Sequence, residues 1–312
     1  MRRLTSIAAA LCLAAAGCVA GTGAAPLPAA PECRIFPGTN VWNRRVDGLP
    51  VHRRSRAIIR SIGRNEGLHP DFGSGRYDGG PIGIPITVVG EGQRKFRVRF
   101  RYAGESDAGP YPIPRDVKIE GGRGSDGDRH AVIVHRDECR LYELFDLRRR
   151  DGRWRAGSGA IWDLGSNKLR PKGWTSADAA GLPILPGLAR WDEVRKGVID
   201  HALRFTVSRT RAKYVYPARH HASDSDDPDL PPMGLRLRLK KGFSLDGYAR
   251  QARVVLVALK RYGMIVADNG SDWFISGAPN KRWDNDALHT LGDVKGSDFV
   301  VVDTSELRPW KD

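Results

Sequence analysis

The sequence predicts a mainly β fold: an antiparallel β-sandwich or jelly-roll-like single domain, with a few short helices and one longer helix in its C-terminal half. Three observations carry this. Segments such as "FRVRFRY" (Phe96 to Tyr102) alternate apolar and charged residues with the two-residue period of a half-buried strand. Turn signals recur every ten or so residues, drawn from 36 glycines and 20 prolines. Regular helices do not separate the strands, which disfavours a parallel α/β sheet, and no internal repeat points to a propeller.

Residues 1–18 read as an export signal, since Arg2 and Arg3 precede the apolar run Ile7 to Ala16, too short to span a bilayer permanently. The signal ends in "AAGC", similar to a bacterial lipobox, which makes Cys18 the lipidation candidate. Ala15 stands where leucine is usual, so ordinary cleavage further along is the alternative. Residues 19–32, rich in Ala and Pro and almost uncharged, predict a flexible tether. A single β-rich domain then spans 33–306, with a tail at 307–312. The expected location is extracytoplasmic, either anchored to the membrane or secreted. Cys12 falls in the signal and Cys18 is reserved for lipid, so Cys33 and Cys139 remain as a disulfide pair.

Within the domain, Ser55 to Ile62 predicts a short helix stopped by Gly63. "HAVIV" and "RLYELF" predict a hairpin around Arg136 to Cys139, and "GSGAIWDL" and "HALRFTV" supply further strands. "LRLRLK" (Leu235 to Lys240) predicts a strand with Arg236, Arg238 and Lys240 facing out. Leu245 to Tyr262 predicts the longer helix, with Ser244 as N-cap and Gly263 as stop. "MIVAD" and "WFISG" predict a hairpin turning at Asn269-Gly270. Asp284 to Leu291 predicts a last short helix before the strand "DFVVVD".

Four long Gly/Pro-rich loops carry acids, histidines and tryptophans: Leu68 to Pro85, Gly104 to His130, Arg170 to Trp191 and Pro217 to Met233. Glycosidic cleavage needs two carboxyl groups, one protonated and one ionised. Glu105, Asp107 and Asp128, with His130 at the mouth of "HAVIV", form the catalytic candidates. Turn acids commonly only cap backbone N–H groups, which is the competing explanation. Trp174 and Asp178 are candidates for holding sugar, and Arg219 with His220 for neutralising an anionic group. His201 shares strand parity with Leu203, Phe205 and Val207, so it faces either the core or a cleft. Trp191 and Trp273 are weaker stacking candidates. No HxH, HExxH or CxxC spacing supports a metal, although His69 could join one, and neither metal nor cofactor is expected. There is no GxSxG elbow for serine hydrolysis. "GDRH" has the wrong order for a nonspecific nuclease motif.

The formal charge of +15 favours anionic partners. The leading expectation is a secreted or surface-anchored carbohydrate-active enzyme, a glycoside hydrolase or polysaccharide lyase. The alternative is a non-catalytic surface lipoprotein that binds an anionic cell-wall or environmental glycan through Arg97, Arg99, Arg101, Arg236 and Arg238. The expected partners are a polysaccharide and, through Cys18, a membrane, with no specific nucleic acid and a monomeric state. Taken together, "CRIFPGTNVWN", "GDRHAVIV", "GWTSADAAGLPILPGL", "HALRFTV" and "YGMIVADNGSDWFISGAP" resemble a family of secreted soil-bacterial proteins. The resemblance implies one full-length secreted domain and supplies no activity and no catalytic residue.

Overall fold

The structure is a computed structural model and describes residues 24–308. The segment expected to be an export signal, Cys18 and positions 309–312 lie outside the described residues. Among the described residues, the fold is a mainly β single domain with four α-helices and several sheets.

A six-stranded sheet is ordered His69–Asp71, Phe274–Ser276, Leu203–Val207, Met264–Asn269, Arg236–Leu239 and Phe299–Val301. A four-stranded sheet is ordered Ser158–Asp163, Arg140–Phe145, Ala131–His135 and Ile86–Val89. A smaller sheet joins Val98–Phe100, Arg153–Ala156 and Arg148–Arg150. Antiparallel pairing predominates among the described residues, but four pairs run parallel: Ile86–Val89 with Ala131–His135, Leu203–Val207 with Met264–Asn269, His69–Asp71 with Phe274–Ser276, and Val98–Phe100 with Arg153–Ala156. The segment after Trp174 wedges between the two larger sheets. Its Ala180, Leu182 and Ala189 join the core of the six-stranded sheet, while Ala177, Ile184, Leu185 and Leu188 join that of the four-stranded one. Each fully buried Leu or Ile here contributes roughly 1.5–3 kcal/mol of transfer free energy, so this segment is held as firmly as the strands.

The hairpin of "HAVIV" with "RLYELF" forms as predicted, pairing Ala131 with Leu144 and His135 with Arg140. Its turn carries Cys139, bonded to Cys33 across 106 residues with Cα atoms 5.1 Å apart. The first helix spans Ser55–Ile62 and stops at Gly63, whose φ of +117° other residues rarely adopt.

Four expectations are corrected. The tether does not extend to residue 32: Ala24, Leu27 and Ala30 are buried against the four-stranded sheet, because an uncharged Ala/Pro/Leu segment carries apolar surface that a solvated linker would leave wet. The longer helix starts at Arg250 rather than Leu245. Gly247 at φ +81° breaks the earlier turn, and the Ser244 hydroxyl donates to Asp246 instead of capping. "MIVAD" and "WFISG" do not pair with each other, since Leu203–Val207 lies between them, parallel to one and antiparallel to the other. Arg236 and Arg238 do not face out: both faces of their strand are covered. Arg236 donates to the carbonyls of Tyr262, Val41 and Arg44 at 2.7–2.8 Å, so its charge is solvated by backbone instead of water. Lys240 is exposed, as predicted.

Candidate functional site

The strand Leu203–Val207 is buried on both faces. Leu203, Phe205 and Val207 alternate into the apolar core, which leaves Arg204 on the opposite face. Its Nε and Nη2 donate to both carboxylate oxygens of Asp178 at 2.5–3.0 Å, and Nη1 donates to Ser276 Oγ at 2.7 Å. Nη2 also reaches Asp268 Oδ2 at 3.2 Å. Burial opposes the guanidinium charge, but the Asp178 carboxylate more than compensates and raises the Arg204 pKa.

Asp268 arrives on this face through a bulge. Phe205 pairs with Val266, but Thr206 pairs with Asp268, so Ala267 is the extra residue. Regular alternation would send Asp268 to the face away from Arg204; one inserted residue reverses its parity. The Ala267 carbonyl accepts from Ala180 N–H at 2.9 Å, which docks the Trp174–Leu182 segment on the bulge. Burial, and then the neighbouring Asp178 charge, push the Asp268 carboxyl up to about 8. The surroundings of Asp268 therefore favour its protonated form.

His130 stands beside the two aspartates, with ligand-type atoms of all three within 4.8 Å of one another. Its Nδ1 lies 2.6 Å from Glu120 Oε2 and its Nε2 lies 3.0 Å from the carbonyl oxygen of Ala177. Two acceptors on the two ring nitrogens require both to carry protons. Burial disfavours this charge, yet Glu120 raises the imidazole to about 9; in return, His130 overcomes the burial of Glu120 and holds its carboxyl below the usual range. With both ring nitrogens facing acceptors and Arg204 on the Asp178 carboxylate, the side chains hold one another in a charge network: Arg204 and His130 lie among Asp178, Glu120 and Asp268. Below it, burial pushes Glu143 up to about 7, although it accepts the N–H groups of Ile184 and Leu185 at 2.9–3.0 Å.

The network opens into a cleft of about 340 Å³. Its lining includes Glu105, Asp128, Asp178, His220 and Asp268, with Tyr102 and Phe145 as aromatic walls. Three of the four long loops thus converge on one cavity. They are tied by backbone bonds, Arg219 and His220 N–H groups to the Ala180 carbonyl and Gly173 N–H to the Arg219 carbonyl. Glu105 Oε2 accepts from Thr175 N–H at 3.1 Å and lies 3.8 Å from His220 Nε2. His220 Nδ1 donates to the Ala179 carbonyl at 2.8 Å, which turns Nε2 toward Glu105.

The remaining predicted residues lie elsewhere. Asp107 bonds Arg170 at 2.6 Å and Ile161 N–H at 2.8 Å, which fixes the loop beside the cleft. Arg170 lies 5.4 Å from the centre of the Trp174 ring, which half-buries that tryptophan outside the cleft lining. His201 is in the core, bonded to Glu193 and the Ala202 carbonyl. Arg219 donates to the Arg170 carbonyl at 2.8 Å. His69 stacks on Phe274, apart from the His130 cluster. Trp273 is fully buried, and Trp191 packs on Trp283. In "GSDGDRH", Arg129 at φ +52° interrupts the strand, so Asp128 and His130 do not share a strand face. The Arg129 side chain organises the loop by donating to the carbonyls of Arg123, Ser125 and Leu147. Sequence reasoning missed Arg204, Asp268 and Glu143, for which the available signal was a charged residue within a largely apolar strand, and it gave no role to Glu120, which lies in a turn of the acid-bearing Gly104 to His130 loop.

No family model, no curated protein and no solved structure matches this chain.

Proposed function

We propose that this chain is an exported carbohydrate-active enzyme that hydrolyses a glycosidic bond in the cleft of Glu105 and Asp268. The observation that carries the proposal is the Asp178–Asp268 pair. One carboxylate is neutralised by Arg204, and its neighbour keeps a proton up to about pH 8 on the cleft lining. In this reading Asp268 protonates the leaving glycosidic oxygen. Glu105, oriented by Thr175 N–H and His220, either activates water or attacks the anomeric carbon. Tyr102 and Phe145 supply ring faces for a sugar. An export signal, and a lipid on Cys18 if the lipobox-like site is used, suit a substrate too large to enter a cell.

The test is incubation of the chain with bacterial and plant glycans, with reducing ends as the readout. The expected outcome is saturable release of oligosaccharides that Asp268→Asn lowers at least about a hundredfold. Ultraviolet-absorbing unsaturated products would replace hydrolysis with elimination. An unchanged rate in Asp268→Asn would overturn the proposal.

A further inference from the structure

The sheet of Val98–Phe100, Arg153–Ala156 and Arg148–Arg150 buries one face and covers the other with arginine. Val98, Phe100, Trp154 and Ala156 pack on the core around Tyr111 and Tyr142. On the outer face Arg99 lies opposite Arg155, Arg155 opposite Arg148, and Arg150 opposite Arg153. Directly paired like charges on neighbouring strands are destabilising, so this row is held against its own repulsion. Arg99, Arg101, Arg148, Arg150 and Arg155 line a groove of about 490 Å³ in which Asp146 is the acid. Arg148 and Arg101 take up that acid, at 2.6 and 3.3 Å. Among the described residues, neither Arg99 nor Arg150 has an acidic partner.

Three stretches of chain contribute to both the groove and the cleft. Arg101, Asp146 and Ala156 line the groove, while Tyr102, Phe145 and Ser158 line the cleft. Backbone bonds from Arg101 N–H to the Ala156 carbonyl and from Tyr102 N–H to the Gly157 carbonyl hold the junction.

We infer that this arginine face is an extended subsite for a linear polysaccharide bearing carboxylate or sulfate groups, which it delivers to the cleft. The inference rests on the glycan-cleaving reading of that cleft and names its substrate class. Guanidinium forks match planar carboxylates and sulfate edges with paired hydrogen bonds. Strand spacing sets neighbouring forks about 5 Å apart across the sheet and about 7 Å apart along a strand, a ladder suited to a polymer with regularly repeated anions. A concave track fits a chain better than a flat bilayer.

Binding and cleavage separate the two readings. Dissociation constants are measured on Asp268→Asn, which holds substrate without turning it over, using polygalacturonate, dextran sulfate, neutral dextran, single-stranded DNA and phosphatidylglycerol vesicles. The triple variant Arg99→Gln/Arg150→Gln/Arg155→Gln is compared with Arg53→Gln/Arg56→Gln/Arg60→Gln, which removes the same charge from another exposed surface. The expected result is at least about tenfold weaker binding of one anionic glycan in the first variant and less than about twofold in the second. The slope of log affinity against log salt should fall by roughly two in the first variant, as contacts that release counterions are lost. Neutral dextran should not bind through this face. The melting temperature of the first variant in low salt should equal or exceed the parent's, which separates lost binding from lost folding. Equal losses in the two variants, no affinity for either anionic glycan, or equal affinity for DNA or vesicles would overturn the inference. If the binding result holds but the unsubstituted chain cuts no glycan, the hydrolase reading falls and the anion track stands.

Discussion

Arg204 grips Asp178 through three hydrogen bonds of 2.5, 2.8 and 3.0 Å, with the carboxylate wholly buried and the guanidinium nearly so. The pair links a strand at the centre of the six-stranded sheet to the loop that wedges against the four-stranded sheet. It therefore sets the position of the cleft and the electrostatics of Asp268 together. A buried pair of this kind gains little over apolar packing, but losing one partner strands the other.

Arg204→Met is expected to destabilise the fold by about 3–5 kcal/mol, because Asp178 is left buried without its counter-charge. Asp178→Leu in the same background should recover part of that loss. Denaturant unfolding of the two singles and the double checks this, and a double variant no more stable than Arg204→Met would contradict it.

The rate of glycan hydrolysis should fall as pH rises through about 8, as Asp268 loses the proton it donates. Asp268→Asn should lower the rate and abolish this alkaline limb. The same substitution should stabilise the chain by an amount that grows from about pH 4 and levels off above about pH 8, because an unfolded aspartate ionises near 3.8 while the fold holds the proton until about 8. Paired pH–rate and pH–melting curves provide both readouts.

His130 contributes with the opposite ordering. Its imidazole rises from 6.5 to about 9 on folding, so its stabilisation is complete below about 6.5 and disappears as pH rises through about 9. His130→Gln should cost on the order of 3 kcal/mol at pH 6 and much less at pH 9.5. A loss that does not vary with pH would mean that packing, not the Glu120 ion pair, is what His130 provides.

Glu105 and Asp128 both line the cleft, but their settings differ. Glu105 is fixed by Thr175 N–H and faces His220, while Asp128 is exposed on a loop. Glu105→Gln should lower kcat at least about a hundredfold, and Asp128→Asn should raise KM a few-fold with kcat nearly unchanged. Steady-state kinetics with the best glycan from the panel distinguishes these roles; the reverse pattern would exchange them.

Reduction of Cys33–Cys139 should cost about 2–5 kcal/mol, since the bond closes a loop of 106 residues in the unfolded chain. Denaturant midpoints with and without reductant, or in Cys33→Ser/Cys139→Ser, measure it. The cleft loops are tied by their own hydrogen bonds, so the folded variant should retain its kcat.

Elements whose pattern is local can be read from residue order. The mainly β class, the Ser55–Ile62 helix, the hairpin at Cys139 and the disulfide all follow from alternation, a glycine stop or a count of cysteines. The loops that line the cleft were also legible, because long Gly/Pro-rich segments carrying acids are poor candidates for core. Which residues form the site depends on contacts between segments far apart in the chain. A single extra residue at Ala267 reverses the parity of Asp268, and no window of sequence shows where a bulge falls. The hairpin expected at Asn269-Gly270 gave way to Leu203–Val207, a strand distant in sequence that covers both edges and brings Arg204 beside Asp268. Arg236 and Arg99 have the same alternating pattern, yet one lies inside a two-sided sheet and the other on an open face. Strand periodicity states which residues share a face; what that face meets depends on partners that sequence order leaves unspecified.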